Sequence, residues 1–305
     1  MSIGVLYPSK APHIRNPRTT SSMMRDVLFA LIPLVIFATV YFGVRVLLIV
    51  TLSVLSAVLS EFAFEFLLHR KITIGDFSAV VTGLIFALML PVTVSWWIPV
   101  LGPVIAITVI KQAFGGIGRN PFNPALFSRC LMMLVFPGIM RAFEIDAVSV
   151  PTPLFAMTEN VKLLPGLMSC FLGVIPGSIG ETSSLLILLS GGYLIVRGVI
   201  DFRIPLAYLA SSFILSYALG MDGLYQLVTG GIMFAAFFVA TDPTTSPMLP
   251  AGKWIYGLLC GVLTILIRKY TGFPEGICFA VLLMDLSRYP LDRLLLPRVY
   301  GMRKI

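Results

Sequence analysis

Apolar positions along this chain gather into long runs separated by short polar breaks. They lie at about 27–42, 46–67, 77–94, 97–113 and 124–140, then at 182–198, 204–220, 224–240, 254–270 and 275–292. Backbone at bilayer depth has no water to bond, so long apolar runs predict helices whose hydrogen bonds are internal. A helical crossing takes roughly 20 apolar residues, which leaves room for about ten spans and little for a soluble domain. Several of the runs are short or interrupted by Pro and Gly. The predicted fold is an all-α polytopic membrane protein.

The two sets of runs echo each other. Val81-Thr82-Gly83 ahead of an apolar stretch returns as Val228-Thr229-Gly230. Each is later followed by a Gly/Pro-interrupted segment, Gly118–Pro124 in one half and Gly272–Gly276 in the other. A repeat with an odd number of spans must enter the membrane from opposite faces, so the echo predicts two inverted five-helix repeats with sites at their interface. Chance similarity among apolar stretches is the other explanation. The resulting scheme has a cytoplasmic segment at 1–26, a first repeat at 27–140 and an extracytoplasmic loop and link at 141–181. A second repeat at 182–292 and a cytoplasmic tail at 293–305 complete it.

Lys and Arg beside the span ends set the orientation. Arg15, Arg18 and Arg25, Arg70 and Lys71, Lys111 and Arg119, Arg197 and Arg203, Lys253, and the Arg288–Lys304 cluster mark alternate connections. Both termini are then cytoplasmic. Arg268 and Lys269 fall on the outer side and count against the scheme.

Composition sharpens this picture. Of 305 residues, 58% are hydrophobic and 12% charged, with mean hydropathy +0.97. Soluble domains carry roughly 25% charged residues, so a soluble enzyme, a disordered chain and a disulfide scaffold are excluded. The net charge of +8 suits cytoplasmic loops, and no basic stripe with interleaved aromatics points to nucleic acid. Cys130, Cys170, Cys260 and Cys278 form no CxxC pair and read as buried small hydrophobes. With only His13 and His69, no histidine metal site is expected. The first strongly apolar run starts near Val27 without a small-residue cleavage site, so no signal peptide is expected.

Four segments interrupt the apolar pattern. In Gly115–Pro124, glycines permit close backbone approach and prolines break helix, while Asn120 and Asn123 offer uncharged hydrogen bonds to a heteroaromatic edge. A helix–helix turn with capping asparagines explains it equally well. Pro176–Ser183 contains Ser178, Glu181 and Thr182 and leads into an apolar helix, either as a cradle for an electron-rich group or as an N-cap. Ala240–Pro247 contains Asp242, a functional candidate at membrane depth or a solvated turn residue if the span ends one turn earlier. The outer segment Asp146–Leu154, taken alone, is a Pro/Ser/Thr turn. Glu61 and Glu65 share one helix face, with His69 extending the stripe, and Glu275 and Asp285 lie in the last run. Spacing does not choose among these carboxylates.

Together these segments resemble the D-subunit family of the Rnf complex, the membrane ferredoxin:NAD oxidoreductase. They are also similar to its relative, the B subunit of the sodium-pumping NADH:quinone reductase. The stretches that carry the resemblance are GGIGRNPFNPALFSR (Gly115–Arg129), GSIGETSSL (Gly177–Leu185), FRIPLAYL (Phe202–Leu209), ATDPTTSPMLPAGK (Ala240–Lys253) and FPEGICFAVLLMDL (Phe273–Leu286). Chain length favours the Rnf protein over the quinone-reductase one.

The resemblance implies FMN joined through its phosphate to a threonine, at a motif running roughly Asp-x-x-Ser/Thr-Gly-Ala-Thr. Asp146, Ser149 and Thr152 keep that spacing, while Val150-Pro151 replaces the Gly-Ala pair. Thr152 is then the attachment site, with Ser178, Glu181 and Thr182 near the ring. A second, noncovalent riboflavin near the cytoplasmic side is also implied, with Asn120, Asn123 and Asp242 as polar contacts. No catalytic side chain and no metal is required, because the flavin carries the chemistry.

The implied function is electron relay between reduced ferredoxin and NAD coupled to Na+ or H+ movement, with Asp242, Glu181 and Glu61 as candidate coupling groups. Implied partners are the A, B, C, E and G proteins of the Rnf complex, a flavin transferase and membrane lipid, in a bacterial cytoplasmic membrane. A solute channel or transporter with inverted repeats is the rival from another class.

Overall fold

The computed structural model describes residues 19–140, 144–145, 148–149, 165–175, 177–229, 231–271 and 276–296. Helix α1 (Thr20–Phe42) starts where Thr19 and Ser22 cap each other reciprocally and ends at Gly43, whose φ is +87°. Helix α2 covers Arg45–Leu67 and α3 Ser78–Leu88. Helix α4 (Ile98–Ile105) continues into a π-helical stretch, Ala106–Gln112. After the Gly/Asn/Pro segment come α5 (Pro124–Val135) and the short α6 (Pro137–Met140). Strands β1 (Glu144–Ile145) and β2 (Val148–Ser149) pair antiparallel, with Glu144 opposite Ser149. Next come α7 (Leu167–Leu172), α8 (Ser184–Val196), α9 (Arg203–Ala218) and α10 (Gly223–Val228). Helix α11 (Ile232–Phe234) continues into a second π stretch, Ala235–Val239, followed by α12 (Pro250–Tyr270) and α13 (Ile277–Leu295).

The chain is helical and multi-pass, as its hydropathy predicts. By length and composition α1, α2 and α12 can each cross a bilayer, while α3, α4 with its π stretch, α5 and α8 are shorter apolar helices. Large apolar side chains such as Leu55, Leu59 and Phe66 on α2, and Phe29, Ile36 and Val40 on α1, point outward. In water such a surface would aggregate; against acyl chains it is matched.

Several expected spans are shorter than their apolar runs, and two of them show why. The run at 77–94 yields α3 of 11 residues, because Pro91 and the turns after it end the helix. The run at 224–240 is cut after Val228, and its second part starts from Gly231 at φ +74°. A Cβ on Gly231 would sit 2.5–2.8 Å from the Glu181 carboxyl atoms, so glycine is required there twice over. Backbone groups freed by such breaks must find partners inside the protein. The carbonyls of Leu88 and Leu90 accept from the N–H groups of Gly180 (2.7 Å) and Ile179 (3.0 Å). Those of Gln226 and Thr229 accept from the guanidinium of Arg268 at 3.0 and 3.3 Å.

The helices pack in two related ways. α2 lies parallel to α4: Arg45 at its start bonds the carbonyls of Thr93 and Val94, Ser56 bonds that of Pro99, and Glu61 near its end meets Lys111. α9 lies parallel to α12, with Asp201 and Lys253 paired at their starts and Tyr208 bonded to Thr264 further along. Gly83 lets α3 approach α2 so closely that a Cβ would lie 2.8 Å from the Ser53 carbonyl oxygen. Between the halves, α1 and α8 run antiparallel, since Asp26 near the start of α1 pairs with Arg197 at the end of α8 at 3.0 Å. One hydrophobic core runs through both halves, from Leu31 and Phe86 to Tyr208, Phe234 and Tyr256.

Candidate functional site

A cavity lies between the two halves, lined by residues from both. Helix α3 contributes Val81, Thr82 and Ile85, and the segment before α5 contributes Ile117, Asn120 and Asn123. Leu194 comes from α8, Phe237 and Phe238 from the second π stretch, and Thr241 and Asp242 from the turn after it. Met23 and Met24 of α1 border it as well. Three residues singled out in the sequence, Asn120, Asn123 and Asp242, therefore share one cavity, although the asparagines and the aspartate come from different halves of the chain.

Each of the three is positioned by a local rule. Asn123 is the N-cap of α5: its Oδ1 accepts from the Leu126 N–H at 3.2 Å, and Pro124 occupies the first helical position. Its own N–H donates to Asp285 at 3.0 Å. Capping and cavity lining are thus both true of Asn123. Asn120 is buried, and its Oδ1 has no hydrogen-bond partner among the described residues. Asp242 is half-buried and accepts from the N–H and hydroxyl of Thr244, each at 3.1 Å, closing the turn that follows the π stretch. It is a partly exposed turn residue that also lines the cavity.

Behind one wall stands a buried charged network. Lys111 donates from Nζ to Glu61 Oε1 and Ser78 Oγ, both at 2.5 Å. Gln112 donates to Glu61 at 2.8 Å and to Glu65 at 3.1 Å. Glu65 also accepts from the N–H and hydroxyl of Thr73. The π stretch turns the consecutive residues Lys111 and Gln112 toward α2 together, the kind of local widening that recurs at functional sites. Lys111 and Ser78 also line the cavity.

The structure corrects the sequence reading in three places. Lys111, counted there with loop charges, is 2% exposed and paired with a fully buried Glu61. Arg268, counted as an outer-side exception, is buried against Gln226 and Thr229 and does not report on a loop. His69 does not extend the glutamate stripe, because it lies past the end of α2, exposed and at φ 50°.

Ser178, Glu181 and Thr182 are all buried. Glu181 pairs with Arg129 of α5 at 2.9 Å, and the same guanidinium reaches Ser178 at 3.4 Å. The N-cap of α8 is Ser183, which accepts from the Leu186 N–H. These residues form a polar stitch between the halves, separate from the lining of the cavity above. A third buried carboxylate, Asp285 of α13, receives the Tyr256 hydroxyl at 2.8 Å besides the Asn123 N–H. None of the four cysteines forms a disulfide, and all are buried.

Ser149 lies in β2, of which only the backbone is described. Asp146, Thr152, Thr158, Pro176, Gly230 and Gly272–Glu275 lie outside the described residues, as do 1–18 and 297–305. Lys111, Ser78, Gln112, Arg129 and Tyr256 were not among the expected site residues. A lysine beside an apolar run was the available signal for the first, but run boundaries do not tell a buried end from a loop.

Comparison with known proteins was consistent from end to end. The family model described as the NQR2, RnfD, RnfE family matches residues 7–301. The chain is 40% identical to the D subunit of the Na+-translocating ferredoxin:NAD+ oxidoreductase complex of Acetobacterium woodii, covering 98% of this chain and 96% of that one. It is 35% identical to the D subunit of the proton-translocating ferredoxin:NAD+ oxidoreductase complex of Clostridium ljungdahlii, with 97% and 96% covered. It is 33% identical to the D subunit of the ion-translocating oxidoreductase complex of Halorhodospira halophila, with 96% and 95% covered. The unbroken match, together with a polytopic helical body whose Asn/Pro and Asp/Pro segments meet at one cavity, establishes that this chain belongs to the NQR2, RnfD, RnfE family.

Proposed function

We propose that this chain is the flavin-carrying member of its family in an Rnf-type complex of a bacterial cytoplasmic membrane. It relays electrons between reduced ferredoxin and NAD and couples that relay to movement of Na+ or H+. The observation that carries the reading is the convergence of Asn120, Asn123 and Asp242, from opposite halves of a chain matched over nearly its full length to Rnf proteins, on one apolar-walled cavity. Apolar side chains of Val81, Ile85, Phe237 and Phe238 suit the faces of an isoalloxazine, and the unpartnered Asn120 Oδ1 suits its polar edge. The residues fit a noncovalent riboflavin.

When bound, a flavin supplies one- and two-electron transfer. The chain's own residues do the rest. Asn120 and Asn123 orient the polar edge, the aromatic walls exclude water, and Asp242 sets the charge at the rim. A second flavin, FMN, is joined through its phosphate to Thr152 in the extracytoplasmic loop, with Asp146 and Ser149 completing the motif that the flavin transferase reads. Ser178, Glu181 and Thr182 face that side. Glu61, Glu181 and Asp242 are the carboxylates offered for ion coupling. The relatives' names assign Na+ to one and protons to another, so the ion is left as a pair of alternatives.

The same reading places α1–α5 and α8–α13 as inverted repeats giving about ten membrane segments, several of them half-length. Support comes from the antiparallel α1 and α8 and from the matching parallel pairs α2–α4 and α9–α12. Both termini face the cytoplasm, and the A, B, C, E and G proteins of the complex cover part of the outward apolar surface.

The test is direct. The chain, made together with its flavin transferase, is denatured, run on a gel and examined for flavin fluorescence, with intact mass measured alongside. Wild type carries the mass of one FMN phosphoester and fluoresces; Thr152→Ala loses both. An unmodified wild-type chain overturns the covalent FMN. Failure also to release riboflavin on denaturation favours the solute-channel reading.

A further inference from the structure

Lys111 is the one basic residue among the described residues lining the cavity, and it enters from within the protein rather than from its surface. An ammonium has three donors. Two are taken by Glu61 Oε1 and Ser78 Oγ. On the other side of the pair, Glu61 spends only one oxygen. Its Oε1 takes Lys111 and Gln112, whereas Oε2 is buried with no partner among the described residues. The contact is therefore one-sided, with a donor and an acceptor left over, and it sits on a π stretch at the cavity wall. A buried ion pair contributes little net stability against apolar substitutes. Its place on the wall of the cavity points to a use for the charge.

We propose that Lys111 is a ligand-binding residue shared between Glu61 and the occupant of the cavity, its remaining N–H directed at an electron-rich carbonyl of the bound ring. Glu61 is its positioning residue. The inference rests on the reading that a flavin binds here and names the edge it presents. An imide edge alternates carbonyl, N–H and carbonyl. Asn120 Oδ1 is the acceptor for the N–H, and Lys111 is the donor to a flanking carbonyl. The cavity then favours a planar ring with an imide edge over an all-apolar ring of the same size. Glu61 holds the ammonium and also offsets its positive charge, so loss of the carboxylate charge strengthens the attraction of Lys111 for an electron-rich carbonyl while loss of Lys111 removes it.

The experiment titrates riboflavin into the full chain, purified in detergent and freed of noncovalent flavin, and follows quenching of flavin fluorescence. Lys111→Met weakens binding by about 10- to 100-fold, the loss expected for one charge-assisted hydrogen bond. Glu61→Gln keeps the shape of the site but loosens its hold on the ammonium, and tightens binding by about 3- to 10-fold. An ion pair with a structural role alone predicts weakening from both, since either change leaves a buried charge uncompensated. Lys111→Met alone can compromise folding for that reason. The double variant Lys111→Met/Glu61→Gln, neutral on both sides, is therefore measured too, and folds while binding weakly. Weakening by Glu61→Gln, or wild-type affinity in the double variant, overturns the proposal. Wild type that binds no riboflavin at all defeats the flavin reading beneath it, a result distinct from any variant effect.

Discussion

Removing one member of the Arg129–Glu181 pair tests how the two halves are held together. Arg129 belongs to α5 in the first half and Glu181 to the segment that leads into α8 in the second; their side chains are 3% and 7% exposed and 2.9 Å apart. Arg129→Met leaves the Glu181 carboxylate buried without its counter-charge. Breaking a buried pair from one side costs about 3–5 kcal/mol. With the unfolding entropy typical per residue, that corresponds to a fall of about 5–8 °C in the melting midpoint of a chain of this length. The double variant Arg129→Met/Glu181→Gln buries no charge and is expected to recover most of the loss. The assay is thermal unfolding in detergent, followed by tryptophan fluorescence for wild type, both single variants and the double. A fall of less than about 2 °C for Arg129→Met, or additive losses in the double variant, refutes the view that this contact is a desolvated pair.

Two other predictions complete that of Thr152. Gly83→Ala places a Cβ within 3.0 Å of Ser53, Val54 and Ala57, two of these contacts being to backbone, so α2 and α3 must separate. A loss of about 1–3 kcal/mol is expected in the same unfolding assay, and an unchanged midpoint would show that the helices pack less closely. Asp201 lies in the connection between α8 and α9. Burial alone would push its carboxyl up, but hydrogen bonds from Lys253 (2.9 Å) and the Arg203 N–H (3.1 Å), with both positive charges, outweigh this and hold it below the usual carboxylate range. Its stabilisation is therefore complete above the unfolded-state value and is lost as pH falls through the lower folded-state value. Asp201→Asn should flatten the acid limb of stability against pH, and parallel wild-type and variant limbs would contradict the assignment.

Much of the fold was legible because hydropathy is a local property. The described stretches of the apolar runs are helical over most of their length, and Asn123 capping α5 follows from an Asn-Pro pair. What the runs did not disclose was their length in the membrane. Pro91 marks a break in 77–94, but the carbonyls of Leu88 and Leu90 released there are taken up by the distant Gly180 and Ile179. No local rule announces that a distant backbone will satisfy a broken helix. The same holds for the end of α10 and Arg268.

The candidate site divides along the same line. By itself the sequence determined that the chain lives in a membrane, which family its motifs match, and that scarce polar residues in the Asn/Pro and Asp/Pro segments are the places to look. These follow from composition and from residues adjacent in the chain. Only the tertiary structure decided that Asn120, Asn123 and Asp242 share a cavity, that Glu181 answers Arg129, and that Lys111 is a buried cation at the cavity wall and not a loop charge. A charge's meaning depends on what surrounds it: Lys111 and Glu61 are separated by 50 residues of chain and brought to 2.5 Å by the parallel packing of α2 and α4. Burial makes each costly alone, and pairing makes both tolerable. That is a property of the fold, which no stretch of sequence carries.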